Sequence, residues 1–383
     1  MEDQFYPLLL TPALHRRVWG GDRLAKLHAA GESQVTEGLE PIGESWLLDA
    51  DSVVANGSHA GQTLGALAHR FGSALVGTVP HARYGSRFPL LLKLLDAAQP
   101  LSVQVHPADD YALTHEAATG HLGKSEAWYV LEASDGATVL WGVTEPLTPE
   151  QMRAAATDGS LPQLMHNVPV ARGSVVVNPA GTLHAVGAGI LLFEIQQASD
   201  LTYRLYDYGR LGADGRPREL HLDKAAAVAD LAGAPFEEPR VRPVGNGWER
   251  LVESPEFVLD RLLLGAASTV ASNDAVTGDV FAGDVFAGDV VTGQVNSTSL
   301  ETLTVVAGEV TLDIVPPTPR APSDSLAATN APFQTLRLGF GQTVLLPAGM
   351  RSSYSLTGNG EVLRGAVLKG VEAGVAPGSG DRP

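Results

Sequence analysis

Most of this chain is written in short runs of β-branched and aliphatic residues broken by Gly, Pro, Asn and Asp. Examples are SEAWYVLEA, ATVLWGV, GSVVVNPAG, GILLFEIQQ, LTVVAGEVTLDIV and QTVLLPAGM. Such runs between turn-forming residues predict an all-β sandwich or jelly roll. Two stretches have helical spacing instead. GQTLGALAHRFGSALVG sets Leu64, Leu67, Phe71 and Leu75 at three- and four-residue steps. LTPEQMRAAATDGSLPQLMHNV offers Thr148 as an N-cap, Pro149 at the first helical position and Glu150 in the first turn. The expected class is mainly β with a few short helices.

Apolar patterning gives way to charge and proline at PFEEPRVRP, Pro235–Pro243. A domain boundary is expected there, with one domain over 1–240, a second over 241–372 and a disordered tail over 373–383. Beyond the boundary, TGDVFAGDVFAGDVVTG (Thr277–Gly293) repeats the five-residue unit F-A-G-D-V. Solenoids repeat over about 20 residues or more. The GGxGxDxUx calcium pattern is absent, so the repeat reads as an expanded surface loop. PPTPRAPSDSLAATNAP (Pro316–Pro332) reads as a mobile loop inserted between strands.

At 383 residues the chain exceeds what one compact core usually holds, which supports two domains or one enlarged double domain. Hydrophobic residues make up 44% and charged residues 18%, a folded, soluble composition. Lys and Arg number 26 against 43 Asp and Glu, a net charge of -17. That field repels nucleic acid and anionic membranes, so neither is an expected partner. A phosphorylated ligand would have to be met by locally placed cations. With no cysteine, disulfides and thiol nucleophiles are excluded, and any metal must be held by N and O donors. MEDQFYPLLLTPALHRRVWG lacks the basic and long apolar regions of a signal peptide. No segment approaches the roughly 20 apolar residues of a membrane helix. The expected location is the cytoplasm.

LSVQVHPADDYA, Leu101–Ala112, alternates in a way that points to chemistry. In an extended chain Val103 and Val105 share one face, while Ser102, Gln104 and His106 share the other. GKSEAWYVLEA puts Lys124, Glu126 and Trp128 on a common face. In VNPAGTLHAVGAGILLFEIQQ a Gly-containing turn delivers His184, and Glu194 interrupts a run apolar enough to be buried. A buried carboxylate is costly unless paired or bound to metal. Gln104, His106, Glu126 and His184 form an N and O donor set suited to a divalent first-row ion, with zinc the first expectation and manganese or iron the alternatives. SDLTYRLYDYGR then places Arg204 among Tyr203, Tyr206 and Tyr208. Its guanidinium either pairs with Asp200 or Asp207 to fix a loop, or faces an anionic substrate.

Together these motifs, with FPLLLKLLDAAQP, LTPALHRRVWGGDRL and GESWLLDA, closely resemble the type I phosphomannose isomerase family in its shorter bacterial form. The resemblance runs from about Tyr6 to Leu222 and is looser in TLTVVAGEVTLDI and GQTVLLPAGM. It implies a double jelly roll of the cupin type, one zinc ion per chain, and interconversion of mannose 6-phosphate and fructose 6-phosphate through a cis-enediol(ate). Carried over by motif, Gln104, His106, Glu126 and His184 are metal ligands, Lys124 faces substrate, and Arg204 is the catalytic arginine. Lys124 and Glu194 are both open as the proton carrier. Arg16, Arg17, Lys93 and Arg210 are candidates for phosphate capture. No histidine follows His221, so the second barrel is expected to be structural and metal-free. A monomer or a homodimer is expected, with a small phosphosugar as the partner.

Two rival readings stay open on sequence. One is a metal cupin acting on another sugar or oxidising its substrate with iron, although Gln104, Lys124 and Arg204 favour a phosphosugar. The other is a sugar-binding cupin without catalysis, against which Lys124, Glu194 and Arg204 speak. A bifunctional nucleotidyltransferase is not expected, because no Gly-rich nucleotide-binding segment precedes the isomerase-like motifs.

Overall fold

Side-chain alternation along the strands resolves into three antiparallel sheets, of ten, six and five strands. The computed structural model describes residues 5–28, 41–212, 215–265, 290–315, 335–350 and 352–368. The Gly-Asp repeat up to residue 289, the loop at 316–332 and the tail at 373–383 lie outside the described residues.

The six-stranded sheet runs in the order Val175–Asn178, Glu126–Ala133, Ile190–Gln197, Leu90–Ala97, Ala13–Gly21 and Ile42–Leu48. The five-stranded sheet runs Tyr203–Tyr206, Val103–Val105, His184–Val186, Thr138–Val143 and Met165–Pro169. These two sheets enclose a barrel whose apolar interior includes Trp19, Leu95, Trp128, Val130, Val139, Val186 and Leu192. The described residues are mainly β, as expected.

Each outer face of the barrel is covered. Behind the five-stranded sheet, Val103, Val105, Ala185, Tyr203 and Leu205 pack with Met152, Ala155, Ala156 and Ala225 of the helices Pro149–Asp158 and Leu222–Val228. The first of these helices begins where the sequence places it. Thr148 caps it by accepting from the Gln151 N–H at 3.2 Å, and the Gln151 side chain accepts from the Thr148 N–H at 2.7 Å. The other stretch with helical spacing is not continuous. It forms Leu64–Phe71, breaks at Gly72 (φ +50°), and resumes as Ser73–Val76. Only glycine adopts that backbone conformation without strain.

Behind the six-stranded sheet, Leu92, Leu94, Tyr129, Leu131, Phe193 and Ile195 share a core with Leu251, Leu259, Leu345 and Leu363 of the ten-stranded sheet. That third sheet is built from strands of the later chain together with Leu8–Thr11 and Val53–Val54. Leu8 pairs with Leu345, and Leu10 with Val54. The ten-stranded sheet also curls around a core of its own, including Trp248, Leu262, Leu303, Val305, Tyr354 and Leu356.

One polar cluster bridges the two sheets. The buried Tyr129 hydroxyl donates to Glu361, Arg172 Nη2 donates to the same carboxylate at 2.7 Å, and Arg261 Nη1 donates to the Tyr129 oxygen at 3.2 Å. Removing the carboxylate would leave a buried phenol without its acceptor. Glu361→Ala is therefore expected to destabilise the protein by about 2–3 kcal/mol, and Glu361→Gln by less, read as the urea midpoint of each variant. Equal midpoints for wild type and Glu361→Ala would show that the cluster is energetically idle.

Candidate metal centre

Three donors converge at one end of the barrel, between the two sheets. One ligand atom each from His106, Glu126 and His184 lies within 4.8 Å of the others. All three residues are buried, at 1% exposure each. His106 follows the strand Val103–Val105, and Pro107 stops the ladder there. His184 opens its own strand after the turn at 179–182. Gly181 in that turn has φ +92°, and its N–H donates to the His106 carbonyl at 2.8 Å. That bond ties the two imidazole-bearing segments together. Glu126 is set from the opposite sheet. The Lys124 N–H donates to the Pro107 carbonyl at 2.9 Å, and the Ser125 N–H donates to Gln197 Oε1 at 2.9 Å.

Both imidazoles are presented in one tautomer. His106 Nδ1 donates to the Leu201 carbonyl at 2.7 Å, and His184 Nδ1 donates to the Thr182 carbonyl at 2.9 Å. Each Nε2 therefore carries a lone pair, and each lies 3.3 Å from a Glu126 oxygen. Burial and then Lys124 push His106 down to about 3, and burial lowers His184. Both rings are neutral at neutral pH. Burial alone would raise the Glu126 carboxyl, but the charge of Lys124 outweighs it and holds the carboxyl well below the usual range. Lys124 Nζ donates to Glu126 and, at 3.1 Å, to His106 Nε2. Glu126 Oε1 has no hydrogen-bond partner although it is buried. Two neutral imidazoles, an ionised carboxylate and an orphaned carboxylate oxygen are the donor chemistry of a divalent first-row ion.

Gln104 lies directly beside this group. It is opposite His184 on one side and opposite Arg204 on the other. Its carboxamide is 3.3 Å from His184 Nε2. A half-turn of the amide would present its oxygen in place of nitrogen. Arg204 Nε donates to Ser102 Oγ at 3.3 Å, and Nη1 donates to the Glu219 carbonyl at 3.0 Å. Asp207 is instead taken by Arg210 and Arg218, each at 2.5 Å. The Arg204–Asp pair considered from sequence is thus absent among the described residues. Neutral acceptors hold Arg204, which makes no direct ion pair among the described residues.

Glu194 stands one residue pair deeper, opposite Trp128 and Lys93. Trp128 Nε1 donates to its Oε2 at 2.9 Å, and Lys93 Nζ lies 3.4 Å from its Oε1. Lys93 also lies 4.0 Å from Glu44, which accepts from Arg17 Nε at 2.8 Å and Trp46 Nε1 at 2.7 Å. Arg17, Glu44, Lys93 and Glu194 thus form an inward line of alternating charge. Burial would raise Glu44, but Lys93 and Arg17 hold it at about 2. Burial would lower Lys93, but Glu194 and Glu44 raise it. For Glu194 burial prevails and, helped by Glu126, raises the carboxyl above its ordinary value.

Strand pairing and direct contacts therefore bring all seven residues singled out from sequence into one neighbourhood of the two facing sheets. Of the cations considered for phosphate, Arg17 and Arg210 are held in ion pairs, and Lys93 is a buried partner of Glu194. Sequence reasoning missed Glu44, and offered Lys93 for phosphate capture rather than as the buried partner of Glu194. Lys93 interrupts the apolar run LLLKLLDA just as Glu194 interrupts ILLFEIQQ, so the same signal was present.

Comparison with known proteins agrees with this geometry. The family described as phosphomannose isomerase type I, catalytic domain, matches residues 8–127. The mannose-6-phosphate isomerase ManA of Bacillus subtilis is 42% identical over 237 residues, 60% of this chain and 70% of that protein. The mannose-6-phosphate isomerase of Streptococcus mutans is 41% identical over 263 residues, 66% and 77% of the respective chains. The crystal structure of mannose 6-phosphate isomerase from Bacillus subtilis superposes with a TM-score of 0.71 at 27% identity, covering 94% of this chain and 99% of that one.

If the donor set is a metal site, the purified chain should bind cobalt(II) with a visible absorption band from the bound ion. Glu126→Ala should weaken that binding by more than about 100-fold while the far-ultraviolet circular dichroism is unchanged. Equal cobalt affinity in the two proteins would place the ion elsewhere.

Proposed function

This chain belongs to the type I phosphomannose isomerase family, and from that premise we propose that it interconverts mannose 6-phosphate and fructose 6-phosphate with one zinc ion held by Gln104, His106, Glu126 and His184. The observation that supports this most strongly is the convergence of two tautomer-locked imidazoles on one buried carboxylate. Bound there, zinc would act as a Lewis acid toward the oxygens of the open-chain sugar.

The chain's own residues account for the remaining requirements of aldose–ketose isomerisation. A proton must pass between C2 and C1 through a cis-enediol(ate), so a carrier must reach both carbons from one side. Glu194 is our choice. Its carboxylate is oriented by Trp128 and Lys93, and the buried site holds it closer to neutrality than an ordinary glutamate. Lys124, whose Nζ donates to Glu126 and His106, would hold a substrate oxygen when those donors are engaged by the ion. Arg204, charged and hydrogen-bonded to neutral acceptors, would stabilise negative charge as it develops on the sugar oxygen. The two sheets exclude water from the line Trp128–Glu194–Lys93, which keeps these interactions strong.

We assign this chemistry to the barrel within 1–240 and a structural role to 241–372. No helix among the described residues is long and apolar enough to cross a membrane. We place the enzyme in the cytoplasm, because a phosphorylated sugar does not cross a bilayer unaided.

Turnover of mannose 6-phosphate should vanish with a chelator and return with zinc. Arg204→Ala should lose about 100-fold or more in kcat at unchanged zinc content; retained kcat would remove it from the mechanism. Glu194→Gln should abolish exchange of the C2 hydrogen with deuterated solvent while zinc remains bound. Exchange at the wild-type rate would transfer the proton to Lys124.

A further inference from the structure

Three polar residues stand in register on neighbouring strands of the site wall. Asn178 lies opposite Glu126, and Glu126 lies opposite Gln196. Their exposures are 1%, 1% and 0%. Asn178 alternates with Val177 and so shares its face with Val176, which packs with Trp128 inside the barrel. The Cβ atoms of such paired residues are about 5 Å apart. A molecule held at Glu126 is therefore within reach of Asn178.

The hydrogen bonding of this row is incomplete in a specific way. Gln196 Nε2 donates to the Gln197 and Ser199 carbonyls, at 3.0 and 2.6 Å. Two acceptors fix the orientation of that amide, and its Oε1 is left without a partner. Asn178 is more exposed chemically although it is buried: neither Oδ1 nor Nδ2 has a partner among the described residues. Metal binding would account for the free oxygen of Glu126 but not for a carboxamide with both halves idle. A valine or leucine would fill the same strand position without an unsatisfied donor and acceptor. The position is also rigid. Trp141, which pairs with His184 on the facing sheet, donates from Nε1 to the Val177 carbonyl at 2.9 Å and pins the strand of Asn178 across the barrel.

We propose that Asn178, together with Gln196 Oε1, is a hydroxyl-recognising subsite for the sugar carbons next to the reacting pair. The inference rests on the isomerase reading and deepens it. A sugar hydroxyl both donates and accepts, and so does the Asn178 carboxamide; Gln196 adds a second acceptor. Such a pair selects a polyol chain over an analogue lacking the hydroxyl, because the analogue leaves the buried amide unpaired.

The test uses the full zinc-loaded chain, Asn178→Val and Asn178→Ser, with a hexitol 6-phosphate as an unreactive open-chain probe and the 3-deoxy and 4-deoxy forms of mannose 6-phosphate. Asn178→Val should raise KM for mannose 6-phosphate about tenfold, with kcat within threefold and with zinc affinity and inhibition by inorganic phosphate unchanged. Asn178→Ser should recover part of the loss. Wild type should discriminate against one deoxy analogue by a similar factor, and Asn178→Val should not. The proposal is overturned if Asn178→Val binds the hexitol 6-phosphate as tightly as wild type. It is equally overturned if the variant's loss follows weakened zinc binding, since Asn178 would then merely support Glu126. Should neither variant fold, equal wild-type use of both deoxy analogues overturns it. Absence of wild-type turnover would sink the isomerase reading instead, and calorimetry with the hexitol 6-phosphate would still decide the role of Asn178.

Discussion

Holding a carboxylate ionised between two apolar sheets is the constraint on which the rest of this structure depends. Glu126 is fully enclosed, and an isolated charge there would be neutralised by protonation. The ammonium of Lys124, in contact with it, prevents that. The neighbouring Glu44 presents the same difficulty and is met by Lys93 and Arg17, whereas at Glu194 Lys93 offsets burial only in part. The interior wall is therefore an alternation of opposite charges laid across the strands. Each group is kept in its working ionisation state by the next. Lys93 is shared by two carboxylates, so its loss would disturb both.

Such a wall is useful only if its geometry is fixed. The strands that carry the donors cannot shift, because their reverse faces are buried as well. Val103 and Val105, on either side of Gln104, are packed under helices, while Tyr129 and Phe193 are packed against a third sheet. A one-residue slip of any of these strands would exchange the polar face for the apolar one. Register and chemistry are thus specified by the same alternation. The backbone carbonyls of Leu201 and Thr182 complete the arrangement by selecting the imidazole nitrogen that faces inward.

Much of this was legible in the sequence because two-residue alternation directly encodes which side chains share a face. Ser102, Gln104 and His106 could be placed on one side of a strand, and the interruption of GILLFEIQQ identified Glu194 as an interior charge. The start of the helix at Thr148 was readable from cap chemistry, to which the structure adds a capping box closed by Gln151. Pairing across sheets was not readable. Nothing local to LLLKLLDA says that Lys93 meets Glu194, or that Asp207 engages Arg210 and Arg218 and leaves Arg204 alone. Break points such as Gly72 were also hidden, since an apolar helical period continues across a backbone conformation that ends the helix.

The pairing of Leu8 with Leu345 has a consequence for how the molecule assembles. A strand made early in synthesis must stay without its second neighbour until almost the whole chain has emerged. The ten-stranded sheet closes only then, through contacts of very large sequence separation. Topologies of this kind fold slowly, because a long loop must be closed before any contact rewards it. The delay also acts in reverse. Contacts that form late, after the rate-limiting step, slow unfolding when they are strong. The same clasp that makes the protein slow to complete would make it slow to come apart, and would give it a lifetime set by kinetics as much as by equilibrium stability.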